Sequence, residues 1–223
     1  MSEIPYSTIA VTGADAFDFL QAQLATDLRA VANTSPLRSA WCNPKGRVIC
    51  MPSIIALDNG FALTLPADIA DRVLQRLTLF RFRSRVEFAL QAAGGRSTAE
   101  RLQMLRAGVV EIARAQSEKF TPHMLNLDLL HIVSLDKGCY PGQEIVARTH
   151  YRGVSKRRCL RFQSAAPAMP GDKVTAGDRD VGEVVNAIDC ELLAVVPVEL
   201  ANQPLSIDRL PLSRCVLPYE IEP

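Results

Sequence analysis

The order of hydrophobic patterns predicts an α+β protein: an antiparallel sheet covered by helices, followed by a small antiparallel β-barrel. Three observations carry this expectation. Between Ile4 and Leu90, short β-like runs alternate with two apolar stripes at helical spacing. From Lys156 onward the chain becomes a series of short β-like runs punctuated by Pro-Gly and Gly-Asp turns. Between these regions lies a cysteine loop bracketed by glycines that fits neither pattern.

In order, Ile4–Val11 reads as the first strand. Thr12 and Asp15 are spaced as a capping box with Asp in place of Glu, and Phe17, Leu20 and Leu24 then mark one face of a helix from about Ala14 to Leu24. Ser39–Trp41 and Arg47–Leu57 read as strands joined by the turn Asn43-Pro44-Lys45-Gly46. Asp58-Asn59-Gly60 is a hairpin signal leading into Phe61–Leu65. Pro66 suits a helix start, and Ile69, Val73, Leu74 and Leu77 form one apolar face. Arg85–Leu90 reads as a further strand, and Ala92-Ala93-Gly94-Gly95 as a break that subdivides the first domain, 1–155, near 91–97. A helix over Thr98–Arg106 ends near Gly108. The second domain, 156–223, carries the runs Arg158–Gln163, Lys173–Ala176, Gly182–Ile188, Glu191–Pro197 and Leu205–Leu212. A unit of that size is near the lower limit for a free-standing core, so it is expected to pack on the first domain.

The 223 residues are 48% hydrophobic and 22% charged, with a net charge of +1, so no global field draws in nucleic acid and any RNA contact needs a local patch. The first ten residues lack the basic and apolar regions of a signal peptide, and no apolar run has the length of a membrane span. A cytoplasmic protein without membrane contact is expected. Six cysteines are widely spaced without a Cys-x-x-Cys pair, and the three histidines fall at no metal-ligand spacing. No metal site within the chain alone is expected, and most of the cysteines read as small buried hydrophobes.

Lys137-Gly138-Cys139-Tyr140-Pro141-Gly142-Gln143-Glu144 carries the strongest chemical signal. Two glycines around one cysteine make a tight loop that a ligand or partner can approach closely. Lys137 and the amides of a helix starting at Gln143 would lower the thiol pKa and favour thiolate. From the residues alone, Cys139 reads equally as a reactive thiol or as a structural cysteine in a turn. Glu144 and Arg148 are spaced for an i, i+4 ion pair. Arg152, Lys156, Arg157, Arg158 and Arg161, interleaved with Tyr151 and Phe162, form either a solvated face or a surface for phosphate, RNA or a folate tail. Tyr6 and Trp41 are either core aromatics or stacking platforms.

The run from Lys137 to Glu144, continued by Val146-Ala147-Arg148, resembles the signature of the YgfZ family of folate-binding proteins, relatives of the aminomethyltransferase (T-protein) of the glycine cleavage system. Thr12-Gly13-Ala14-Asp15-Ala16, Phe19-Leu20-Gln21 with Thr26-Asp27, and Cys42-Asn43-Pro44-Lys45-Gly46-Arg47 are similar to its earlier motifs, so the likeness covers most of the chain. The resemblance implies a T-protein-like folate-binding domain followed by a β-barrel, with tetrahydrofolate or a derivative as cofactor. It implies a part in assembling or repairing iron–sulfur clusters in clients such as tRNA-modifying enzymes, and the basic run at 151–162 adds the expectation of a weak tRNA contact. It matches Cys139 to the family's characteristic cysteine and Tyr6 to its pterin-facing aromatic. Cys139 and Lys137 are therefore expected in the catalytic or cluster-contacting role, and Trp41, Gln143, Glu144 and Arg148 are expected with Tyr6 at the folate. One cysteine cannot hold a cluster, so any such contact is shared with an iron–sulfur client or assembly protein.

The chain also departs from the T-protein pattern. Cys50 and Met51 stand where T-proteins carry the Asp that assists methylene transfer, and Arg106 stands where a Glu contacts folate. Without those carboxylates no group is evident to handle the folate proton, which counts against the alternative of an aminomethyltransferase-like C1-transfer enzyme. The chain is short for the family, and the trimmed part falls between Leu90 and Thr98, so part of the folate pocket is expected to be missing.

Overall fold

The computed structural model describes residues 4–32, 35–153 and 155–221, apart from the side chain of Arg152. Strand β1 (Ile4–Thr12) leads into α1 (Ala16–Gln23), and the short pieces β2 (Leu37–Arg38), β3 (Trp41–Cys42) and β4 (Val48–Cys50) follow. Next come β5 (Ser53–Leu57), β6 (Gly60–Pro66), α2 (Ala67–Phe80), β7 (Glu87–Arg96) and α3 (Thr98–Arg106). The main sheet is antiparallel in the order β2-β5-β6-β1-β7, and β3 and β4 form a separate hairpin. Helix α2 lays Ile69, Val73 and Leu77 against this sheet, and the core closes over Ile9, Leu20, Trp41, Ile54 and Leu63.

Several boundaries differ from the sequence reading, each for a local reason. The helix α1 begins two residues late, because Thr12 stays in β1 and the capping position falls to Asp15, whose carboxylate instead accepts from the Arg85 amide and guanidinium. Strand Arg47–Leu57 is interrupted at Met51-Pro52, since Pro52 offers no N–H to a ladder. No break occurs at Ala92–Gly95: β7 runs on to Arg96, paired with β1 along its length apart from a register shift between Ile4 and Tyr6. As an edge strand, β7 tolerates Gly94 and Gly95, and Gly94 has no neighbour within 4 Å of where a Cβ would stand. Helix α3 starts where expected, held by a capping box between Ser97 and Glu100.

From Ala107 to Gly142 the chain is irregular save for a turn of 3-10 helix at His123–Leu125, yet it is not a surface loop. Val110, Ile112, Phe120, Leu125, Leu127 and Ile132 are buried in a second core between sheet and barrel. Its backbone is satisfied by neighbours: the Val48 amide donates to the Phe120 carbonyl, the Glu118 amide to the Val48 carbonyl, and the Asn126 amide side chain to the Cys159 carbonyl.

Helix α4 (Gln143–Arg152) precedes β8 (Arg157–Ser164), β9 (Lys173–Ala176), β10 (Arg179–Ile188), β11 (Glu191–Pro197), β12 (Ser206–Ile207) and β13 (Leu210–Cys215). These six strands close in the order β10-β11-β8-β13-β12-β9, so the barrel has no open edge. The expected single run Leu205–Leu212 is a hairpin, turned by Asp208 and Arg209 at positive φ (48° and 67°), which no glycine announced. Among the described residues no helix is long and apolar enough to cross a membrane.

A candidate folate chamber and an exposed cysteine loop

The residues singled out in the sequence occupy four different places. Trp41 lies in the first core, 1% exposed, edge-on to Phe80 and under the Arg76 guanidinium, and unlike Tyr6 it lines neither of the cavities described below. Its expected folate contact is thereby withdrawn.

Tyr6 is 2% exposed but forms the wall of a small chamber with Arg38, Met51, Ser53, Arg96 and Glu111. The Arg96 guanidinium lies over the Tyr6 ring, 4.6 Å from its centroid. Its Nη1 donates to a Glu111 carboxylate oxygen at 3.0 Å and its Nη2 to the Ser53 hydroxyl at 2.9 Å. The other Glu111 oxygen accepts from Arg101 at 3.1 Å. Burial pushes the Glu111 carboxyl up to about 7, while the two guanidiniums favour its ionised form. The main chain of Glu111 is pinned to the barrel, its amide donating to Asn186 Oδ1 and its carbonyl accepting from Asn186 Nδ2, each at 2.8 Å.

The chamber has only about 10 Å³ of free space, but it opens on a cleft of about 420 Å³ with which it shares Arg38, Ser53, Arg96 and Met104. Half-buried Arg38 faces the cleft and has no carboxylate partner among the described residues, and burial, with the neighbouring Arg96, pushes its pKa down. Glu111 and these arginines escaped the sequence reading because they sit on four separate segments with no motif among them. A carboxylate is thus present beside Tyr6, although the motif positions Met51 and Arg106 lack one. Arg106 itself turns outward to the barrel and pairs with Glu191.

The cysteine loop lies elsewhere. Lys137 and Tyr140 point inward, both buried, while Gly138 and Cys139 are exposed. The Lys137 ammonium donates to the carbonyls of Gln21, Leu24 and Thr26 at 2.5, 2.6 and 3.1 Å, satisfying the orphan end of α1. Burial pushes its pKa down to about 8, against the attraction of Asp27. Lys137 is therefore an anchor, and its expected role as activator of the thiol is withdrawn. Gln143 also serves the loop, its Nε2 donating to the Lys137 carbonyl.

Gly142 adopts φ 80°, and a Cβ there would lie 2.5 Å from the Asn43 carbonyl oxygen and 2.8 Å from Gly46 Cα. The two glycine turns that the sequence offered separately are thus packed backbone on backbone. Glu144 and Arg148 form the expected i, i+4 pair at 2.7 Å, both exposed on α4 beside an open basin that Cys139 shares. Neither they nor Gln143 lines the Tyr6 chamber, so the expected folate set is divided between two sites. Of the six cysteines, Cys139 alone is exposed: Cys42, Cys50 and Cys159 are buried, and Cys190 and Cys215 lie between.

The basic run is dispersed as well. Arg157 donates to the Val181 carbonyl, Arg158 pairs with Asp128, and Arg161 with Glu191. Phe162 is in the barrel core, and the Arg152 side chain lies outside the described residues. Among the described residues no group of three His, Cys, Asp or Glu side chains is placed to hold a metal.

The fold is aminomethyltransferase T-like, with a closed six-stranded antiparallel barrel at its C-terminal end. The whole chain superposes on the glycine cleavage system aminomethyltransferase T of Bartonella henselae with a TM-score of 0.74 and 14% identity, covering 96% of this chain and 83% of that one, a likeness of fold. Residues 156–217 match the family model of the CAF17 C-terminal beta-barrel domain. An uncharacterized protein of Haemophilus influenzae is 28% identical over 97% of this chain and 96% of its own. The tRNA-modifying protein YgfZ of Klebsiella pneumoniae is 36% identical over 48% of this chain, and that of Escherichia coli 33% over 53%. These matches span 35% and 40% of the two YgfZ proteins. The chain is thus similar to YgfZ proteins over about half of its length and to the CAF17 barrel domain over residues 156–217.

Proposed function

We propose that the protein is a folate-binding accessory factor of the cytoplasm, supporting iron–sulfur cluster assembly or repair in clients such as tRNA-modifying enzymes. The observation that carries this reading is the single exposed cysteine, held outward on a loop whose neighbours are buried anchors. Such a thiol can offer one ligand to a client's cluster while the client supplies the rest. In this reading a reduced folate occupies the second site, entering from the cleft beside the chamber. Tyr6 supplies an aromatic face, Glu111 an acceptor for ring N–H groups, and Arg38 a cation for the tail carboxylates. The cleft, about 420 Å³, is within the size range of small-molecule sites.

The test is genetic and calorimetric together. Cys139→Ala should bind tetrahydrofolate like wild type, yet fail to support a cluster-dependent tRNA-modifying enzyme in cells carrying only that variant. Unimpaired enzyme activity in those cells would sink the proposal. Glu111 also favours a second reading, an aminomethyltransferase-like C1-transfer enzyme, because it restores a carboxylate at the ring. Methylene transfer from a folate adduct to an amine by the purified protein would support that reading, and loss of transfer in Glu111→Gln would tie it to this residue.

A further inference from the structure

The chamber behind the cleft is filled by the side chain of Arg96. Its flat guanidinium lies on the Tyr6 ring at 4.6 Å and donates to the Glu111 carboxylate at 3.0 Å. The same group also donates to the Tyr6 hydroxyl at 3.3 Å and to Ser53 at 2.9 Å, which leaves about 10 Å³, room for one water. An aromatic face with a partly buried carboxylate oxygen and the Ser53 hydroxyl at its rim is a receptor for a planar edge bearing two N–H donors. The aminopyrimidinone edge of a pterin, with its ring N–H and exocyclic amino group, presents the same donor pair in the same plane as a guanidinium.

We propose that this seat is built for a planar guanidine edge, that Arg96 is its resident occupant, and that a pterin binds by displacing Arg96 into the adjoining cleft. The inference rests on the folate reading above. Three features make the exchange feasible. Arg96 is the last residue of edge strand β7, immediately before the Ser97 cap of α3, so its side chain can swing without disturbing a central ladder. The cleft it would enter holds about 420 Å³ and shares Arg96 as a wall. Glu111 keeps Arg101 as partner at 3.1 Å when Arg96 leaves, and its backbone stays fixed by Asn186, so the carboxylate is neither orphaned nor moved.

Wild type and Arg96→Ala are titrated calorimetrically with 5-formyltetrahydrofolate, and both are melted with and without methylguanidine. Displacement predicts that Arg96→Ala binds the folate about tenfold more tightly, because the occupant no longer competes. Methylguanidine should raise the melting temperature of Arg96→Ala and leave wild type unmoved, and adding Glu111→Gln should erase both effects. Should Arg96→Ala fail to fold, Arg96→Met keeps the stem over Tyr6 and removes the guanidinium. Folate binding by wild type with equal or weaker binding by the variant would overturn the displacement and leave the folate reading standing. Absence of methylguanidine rescue would overturn the assignment of the seat. Rescue by methylguanidine with no folate binding by either protein would overturn the folate reading, and with it the pterin as displacer.

Discussion

Lys137 and Cys139 stand two positions apart and face opposite ways. The ammonium is buried against three carbonyls at the end of α1, whereas the thiol is exposed. Replacing Lys137 with Met would leave those carbonyls without their donor, and one hydrogen bond to a charged group contributes about 1.5–3 kcal/mol. Lys137→Met should therefore destabilise the protein by about 2–3 kcal/mol in urea unfolding at neutral pH. Cys139→Ala should change stability by less than about 0.5 kcal/mol, as exposed substitutions do. The same contrast is readable chemically. Burial pushes the thiols of Cys42 and Cys159 up to about 12, so in the native protein iodoacetamide should modify Cys139 and spare them, as peptide mass mapping will show. The sequence singled out the Cys139 loop and, from two-residue proximity, set Lys137 beside its thiol, but only the packed chain shows that the Lys137 side chain reaches back to α1.

At the level of elements, the cysteine loop is positioned by contact between two turns. Gly142 accepts φ 80° and lets the Asn43 carbonyl and Gly46 approach to distances that a Cβ would forbid. Gly142→Ala should cost about 2 kcal/mol or more, the left-handed conformation contributing about 1 and the clash the rest. It should impair client support with Cys139 chemically intact, and a variant of wild-type stability and function would refute this coupling. Strand and helix positions were largely legible, since period-two and helical stripes mark them directly. What the pattern missed was backbone behaviour that composition hides. The edge strand β7 absorbs Gly94 and Gly95, and the β12–β13 turn uses Asp208 and Arg209 at positive φ without glycine.

Across the whole molecule, barrel and sheet are joined by a shared core and by polar ties. Cys159, Val185, Leu193 and Val195 of the barrel pack in one cluster with Ala25, Cys42, Val48 and Phe120. Unfolding should accordingly be a single transition, with coincident curves from far-UV circular dichroism and from the fluorescence of Trp41, and a 156–223 fragment should not hold the barrel fold. Glu191 links the end of α3 to β8 through Arg106 and Arg161. The hydrogen bond from Arg106, aided by Arg161, lowers its pKa from 4.5 to about 2. Its folded value lies below its unfolded one, so its stabilisation is fully present above pH 4.5 and fades as pH falls toward about 2. Glu191→Gln should be less stable than wild type at neutral pH, and urea titrations should show that difference shrinking through this window.

Alternating and helical periodicities and turn residues were enough to determine the fold class and most elements, and one long motif singled out Cys139 as a candidate. Those signals are local, carried by residues close along the chain. The chamber is not local: Tyr6, Arg38, Arg96 and Glu111 come from β1, β2, β7 and the irregular segment after α3, and only packing brings them together. A guanidinium seated on an aromatic ring beside a buried carboxylate is a property of that meeting. So is the separation of the chamber from the cysteine loop, because which face a side chain finally takes depends on what the rest of the chain packs against it.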